Sequence, residues 1–388
     1  MAVKNKGTTH TSAVVDILNR AKIIIIGGAP RSATSYCHAL FDGHPDIVVF
    51  HPELLVLREW MLYFRKTKYT NIAELFSIEL FKTDAKLREL IDMDYRELRK
   101  RSKLSETGIL MDISTNPELF WEIFKDLTNR LGKNIDGFLR ALGGAYWQAT
   151  PELKKMVRYP KIIVFKVPYY AELFAWAFHD KLPEVVWVFT KRDNISRYLS
   201  AKMRRLYGRK DVPWINEDRV VLGSAKVTYS SHWLIDQASS MSRVYIWDLK
   251  KISSNQEKLL RELIISLNIK WEPILLNPTY LGKPQPRNTA FIHIKGNQPG
   301  DIVNKPEADI LRYLEALVDW ASTNNGSPPS QPLQSWMKIH KYERVRDFFR
   351  SWRTWLFVLS SPKQKINMLF RELPKRVLAG KAVISGKT

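Results

Sequence analysis

The stretch AKIIIIGGAPRSATSYCHALFDGHPDI, residues 21–47, decides the fold. Four isoleucines, Ile23 to Ile26, run into Gly27 and Gly28. A short, continuous, β-branched run closed by glycines reads as a buried strand of a parallel sheet. A loop carrying Arg31, Ser32, Thr34 and Ser35 follows, and then a helical stretch that ends near Asp42-Gly43. Read as G-x-x-x-x-G-K-[ST], the window from Gly28 to Ser35 has Ala33 in place of the second glycine and Thr34 in place of the lysine. The segment thus has the order of a phosphate-binding loop without its lysine. Backbone N–H groups in a turn that feeds a helix attract anions. Hydroxyls add donors, and Arg31 adds a permanent charge that can fork onto phosphate or sulfate oxygens. The same residues also suit a tight turn whose hydroxyls only cap the helix.

Working outward, KIIVFKV (161–167), the helical YYAELFAWAFHDKL (169–182) and EVVWVFT (184–190) form a strand–helix–strand crossover. SRVYIWDL (242–249) is a further strand candidate, GILMDIS (108–114) another, and NQEKLLRELIISLNI (255–269) an amphipathic helix. The fold class expected is α/β: a three-layer sandwich with a central parallel sheet, P-loop NTPase-like, plus a helical C-terminal extension. Residues 1–21 read as an N-terminal extension and 22–323 as the α/β domain, with a helical insertion at about 56–104. NNGSPPSQP (324–332) reads as a linker and 333–388 as a basic amphipathic helical tail. Lys166 and Arg192 stand at the ends of two of these strands, where ligands of open α/β sheets bind. Taken singly, Lys166 could snorkel to water and Arg192 could pair with a surface acid.

The chain has 388 residues, 45% hydrophobic and 26% charged, which suits a globular protein rather than a disordered one. Cys37 is its single cysteine, so no internal disulfide forms. The first 20 residues are polar, and no run approaches a membrane span. A cytoplasmic location is expected, unless a processed leader is missing. The net charge of +22 favours polyanions, an anionic membrane surface or an acidic substrate. From Lys341 to Thr388 twelve Lys/Arg face three Asp/Glu. Phe348, Trp352, Trp355, Leu356 and Leu359 share one helical face there, as on an interfacial anchor or a helix packed on the core.

These segments resemble the sulfotransferases that use 3'-phosphoadenosine 5'-phosphosulfate (PAPS), nearest in spacing to the carbohydrate and heparan-sulfate-type and bacterial branches. GGAPRSATSYCHALFDGHPDI is similar to their 5'-phosphosulfate loop, P-[KR]-S-G-T-[ST] followed by a helix and H-P-D-[IV]. VVWVFTKRDNISRYLS resembles their 3'-phosphate segment, with Ser200 eight residues after Arg192. VFKVPYY is similar to their E-K-[ST]-P segment, and HW at 232–233 with the strand–helix from VYIWDL resembles their late W and Y-E-D-L. The likeness runs in order over about residues 22–295. Ala33, Asn194 and Phe165 depart from it, and IWDL keeps only Asp248 of the Y-E-D triplet.

The resemblance implies that Pro30, Arg31, Ser32, Ala33, Thr34 and Ser35 hold the 5'-phosphosulfate, with Arg31 at the transferred sulfuryl. It implies that Arg192 and Ser200 hold the 3'-phosphate, and that Lys166 lies near the sulfuryl or the acceptor. It places Glu53, 22 residues after Arg31, as general base, with His51 as the competitor. Glu53 suits the task if desolvation raises its pKa. In NPTYLGKPQPRNTAFI (277–292), Gly282, Lys283, Arg287 and Asn288 match a late PAPS-contacting loop or a plain surface loop, and Asp112 and Ser114 are weaker acceptor candidates.

The function expected is in-line sulfuryl transfer from PAPS, as co-substrate, to an acceptor hydroxyl on a glycan or glycolipid. A sulfuryl group carries less charge than a phosphoryl group, and no His/Cys/Asp/Glu cluster has metal-ligand spacing, so metal-independent chemistry is expected. An anionic membrane surface is a further partner through the tail, on the inner face of a membrane. The rivals are a P-loop-like kinase, which lacks the loop lysine, and a non-catalytic polyanion- or nucleic-acid-binding relative. For the latter no specific nucleic-acid motif is present.

Overall fold

The computed structural model describes residues 7–29, 31–54, 115–167, 171–193, 196–197, 231–232, 235–236 and 238–284. Its first compact unit, residues 1–60, 71–192 and 234–294, carries the sheet. The second unit, 61–70, 193–233 and 295–388, lies almost wholly outside the described residues. So do the expected strand at 108–114, the insertion at 56–104, the linker and the basic tail.

Five parallel strands make the central sheet: β1 (Lys22–Gly28), β2 (Ile47–Glu53), β3 (Ile162–Lys166), β4 (Val186–Lys191) and β5 (Val244–Asp248), in the order β2-β3-β1-β4-β5. The α/β class is as expected. Ile23 to Ile26 are all buried, because helices cover both faces and β1 lies between β3 and β4. Helix α6 (Ala171–Phe178) carries the chain from β3 to β4 and crosses close over β1. Gly27 makes that approach possible, since a Cβ there would lie 2.1 Å from Ala171 Cβ.

Between β1 and β2 lies the short α2 (Thr34–Ala39), which gives way to a turn that reaches Gly43 at φ 82°. Helix α7 (Leu249–Ser266) begins six residues earlier than the sequence suggests, because Asp248 caps it by accepting from Lys250 N at 2.8 Å. A kink at Asn255 (φ −136°) marks the expected start.

Sequence reading passed over β2. Its Pro52 and its place beside H-P-D argue against a strand, but it is an edge strand with a register shift between Val49 and Glu53, where proline is tolerated. It also passed over α3 (Pro117–Leu131), α4 (Ile135–Ala149) and α5 (Pro151–Met156). The signals were there: Asn116 accepts from Glu118 N and Leu119 N ahead of Pro117, and Asn134 accepts from Gly137 N. Phe124 meets Phe138 edge to face, which joins α3 to α4.

The N-terminal segment is more than an extension. Residues Gly7–Arg20 form α1, whose Leu18 is fully buried. Arg140 of α4 donates from Nη1 to the carbonyls of Leu18, Asn19 and Ala21 and so clamps the end of α1. No helix among the described residues is long and apolar enough to cross a membrane.

Candidate functional site

All five strands are parallel, so their carboxyl ends share one edge of the sheet. The loop after β1 leaves that edge at Gly28 (φ 143°), where a Cβ would lie 2.4 Å from Thr190 O. Arg31 (φ 75°) and Ala33 (φ 67°) both take left-handed backbone angles, around a fully buried Ser32. Ser32 Oγ has no hydrogen-bond partner among the described residues. The residue that caps α2 is Ala33, which has no hydroxyl, and no side chain bonds the helix start. The reading of this loop as a turn capped by its own hydroxyls is therefore not what the chain builds.

Ala33 also stands where the sequence resemblance expects glycine, and its backbone has the conformation that glycine favours. A left-handed residue costs an L-amino acid roughly 1–2 kcal/mol, against the roughly 0.5–1 kcal/mol that glycine loses in chain entropy. Ala33→Gly is expected to stabilise the fold by about 0.5–1 kcal/mol. Thermal unfolding followed by circular dichroism checks this, with an expected rise of about 1–3 °C.

Lys166 ends β3 and is buried to 6% exposure. Its ammonium does not snorkel to water. It lies 3.0 Å from Glu53 Oε1 and donates to Ser35 Oγ at 3.0 Å. Glu53 is the last residue of β2, paired in register with Lys166, so the acid belongs to a strand and meets a lysine. Arg192 follows β4 and donates from Nη1 toward Arg31 O at 3.4 Å, the long end of a hydrogen bond. The edge thus gathers Arg31, Ser35, Glu53, Lys166 and Arg192. Thr34 is buried at the first turn of α2. Pro30, Ser200, Arg287, Asn288, Asp112 and Ser114 lie outside the described residues.

Beneath this edge lies a buried polar cluster. His51 Nε2 is 3.1 Å from Asp42 Oδ1, and Nδ1 is 3.1 Å from the Tyr146 hydroxyl, so both ring nitrogens are engaged. Burial pushes the Asp42 carboxyl up, but the charge of His51 and donors from His51, Gly282 and Thr279 outweigh it and hold the group below its ordinary value. A depressed folded pKa gives stability that is fully present above the unfolded value and lost as pH falls through the folded one. Asp42→Asn is therefore expected to flatten the acid limb of a stability–pH curve below about pH 4, as read by tryptophan fluorescence.

His38 is held neutral, its pKa well below the ordinary value, by burial first and then by the charges of Lys166 and His51. Burial raises the Tyr280 hydroxyl, as does the nearby Asp42, and pushes the Cys37 thiol up to about 12. Neither is a nucleophile near neutral pH. Among the described residues no group of three His, Cys, Asp or Glu side chains comes together as a metal site.

Sequence reading singled out Arg31, Glu53, Lys166 and Arg192 at the edge but missed Asp42, Tyr146, Thr279 and Tyr280 in the cluster below. Those contacts join positions up to 240 residues apart, and no local spacing announces them.

No family model matches the chain, and no curated protein matches it. Three solved structures similar to it are sulfotransferases. One is the sulfotransferase domain of the Synechococcus PCC 7002 olefin synthase, at 14% identity and TM-score 0.35, over 83% of this chain and 94% of that one. Another is the sulfotransferase domain from the curacin biosynthetic pathway, at 18% identity and TM-score 0.34, over 83% and 98%. The third is sulfotransferase STF9 from Mycobacterium avium, at 11% identity and TM-score 0.40, over 81% and 80%. At these TM-scores the likeness carries no functional argument, and the residues at the sheet edge must carry it.

Proposed function

We propose that the chain is a PAPS-dependent O-sulfotransferase that acts on a hydroxyl of a carbohydrate or glycolipid. The observation that carries this reading is the placement of Lys166 between Glu53 and Ser35, beside a lysine-less loop whose start Arg192 reaches. One edge then offers cations and hydroxyls for a phosphosulfate and a carboxylate for the acceptor proton.

In the reaction proposed, the acceptor oxygen attacks sulfur and forms the new S–O bond. The S–O bond to the 5'-phosphate breaks, and 3',5'-adenosine bisphosphate leaves with the electron pair. The acceptor proton passes to the Glu53 carboxylate. Lys166 and Arg31 oppose the charge that develops on the sulfuryl and bridging oxygens, and Ser32, Thr34 and Ser35 donate to the 5'-phosphate. Arg192, with Ser200, takes the 3'-phosphate. Glu53 is favoured over His51 as base because the His51 ring is buried between Asp42, Tyr146 and Tyr280. These groups supply the positive charge without a metal. The basic, tryptophan-bearing tail would bring the enzyme to an anionic membrane surface on the cytoplasmic side, which suits a lipid-linked acceptor.

Calorimetric titration with 3',5'-adenosine bisphosphate in EDTA, beside ATP with magnesium, tests the donor site. Micromolar binding of the bisphosphate alone, abolished by Arg192→Ala, is expected. Absence of bisphosphate binding by folded protein would overturn the reading.

A further inference from the structure

The buried Asp42–His51 pair takes no part in the chemistry just described, yet it ties together two segments that lie far apart in the sequence. One Asp42 carboxylate serves both: Oδ1 faces His51, and Oδ2 accepts from Thr279 Oγ1 and from Gly282 N, each at 2.8 Å. The Thr279 hydroxyl is also 2.8 Å from the Asp42 carbonyl. Thr279 and Gly282 belong to a two-stranded hairpin, β6 (Thr279–Tyr280) and β7 (Lys283–Pro284). The Tyr280 ring packs on the His51 ring, with centroids 4.2 Å apart. On its other side His51 meets the Tyr146 hydroxyl.

His51 lies two residues before Glu53, in the part of β2 that the ladder does not hold. Val49 pairs with Val164 and Glu53 with Lys166, so four steps along β2 span two along β3. A bulge of this kind leaves the direction of its residues to side-chain contacts. Beyond Glu53 the ladder resumes, with Leu54 N donating to Lys166 O at 2.9 Å. Before Glu53 the polar anchor is His51. An apolar pair would fill the same space but would make neither the close approach to Asp42 nor the hydrogen bond to Tyr146 that orients the His51 ring.

We infer that Asp42 and His51 are positioning residues: they fasten the bulged end of β2 to the hairpin, and thereby hold the Glu53 carboxylate in line with Lys166. The inference rests on the reading of Glu53 as base. The anchor itself is testable without turnover.

Hydrogen–deuterium exchange of the full chain, read on peptides covering 47–54, 162–166 and 279–284, tests the anchor. Asp42→Asn is expected to speed exchange about tenfold or more in 47–54 and in 279–284 together, with 162–166 unchanged. Faster exchange in 279–284 alone, or in neither, overturns it. Thr279→Val keeps the side-chain shape and removes one donor to Asp42. It is expected to loosen the same two segments to a smaller degree, and so serves if Asp42→Asn does not fold.

Turnover of radiolabelled PAPS, with water as acceptor, tests the link to Glu53. His51→Gln is expected to lower kcat about tenfold, with bisphosphate affinity within twofold of wild type. Combined with Glu53→Gln it is expected to cost nothing beyond Glu53→Gln alone. Losses that multiply would overturn the link. A wild-type protein that neither binds bisphosphate nor consumes PAPS sinks the transferase reading, while the exchange result still decides the anchor.

Discussion

Glu53→Gln is expected to lower sulfuryl-transfer kcat by roughly 10²–10⁴-fold, the usual span for loss of a general base. Glutamine keeps the shape and a hydrogen-bonding oxygen beside Lys166 but cannot take the acceptor proton. Affinity for 3',5'-adenosine bisphosphate is expected to remain unchanged, because the proposed reaction leaves the donor phosphates to Arg31, Arg192 and the loop hydroxyls. Lys166→Met separates the two roles. It removes the cation 3.0 Å from Glu53 Oε1, and it is expected to lower kcat while bisphosphate binding persists, since the bisphosphate has no sulfuryl group. Single-turnover measurements with PAPS check both variants. A Glu53→Gln protein with wild-type kcat would return the proton to another group.

The second large effect concerns stability. Arg140→Met is expected to lower unfolding free energy by about 3 kcal/mol, since each buried carbonyl left unpaired costs about 1–3 kcal/mol. Arg140 is 8% exposed, and its Nη1 serves the carbonyls of Leu18 and Asn19 at the end of α1 and, at 2.6 Å, that of Ala21 just beyond it. Those carbonyls form the negative end of the helix, where a guanidinium is well placed. Its Nε also holds Asp136 at 2.7 Å, a pair exposed only on the Asp136 side. Arg140→Lys keeps the charge but not the fork, and it is expected to recover only part of the loss. Urea unfolding should show a lower midpoint at unchanged slope.

The sheet was legible where a strand is covered on both faces. Ile23 to Ile26, 162–165 and 186–189 are unbroken apolar runs, and burial on both sides needs no alternation. The edge strand β2 was illegible because histidine and proline interrupt it, and its bulge spoils any period of two. Lys166 and Arg192 could be located at strand ends because each follows an apolar run, whereas Glu53 was singled out only by the family resemblance, 22 residues on from Arg31. What could not be read was what lies beneath. Asp42 looks like one polar residue of a turn until the fold brings His51 and Gly282 to the same carboxylate.

The order β2-β3-β1-β4-β5 has a consequence for how the protein is made. Glu53 and Lys166 are adjacent on the sheet but 113 positions apart in the chain. On a ribosome adding about 5–20 residues per second, β1 and β2 wait roughly 6–25 s for β3 to emerge between them. Until then two strongly apolar strands have exposed edges and no partner. The Glu53–Lys166 ion pair can form only once β3 has emerged, and the pairings of β4 and β5 come later still. A chain truncated before β3 would leave a sticky fragment, and chaperone dependence during translation is the expected cost of this topology.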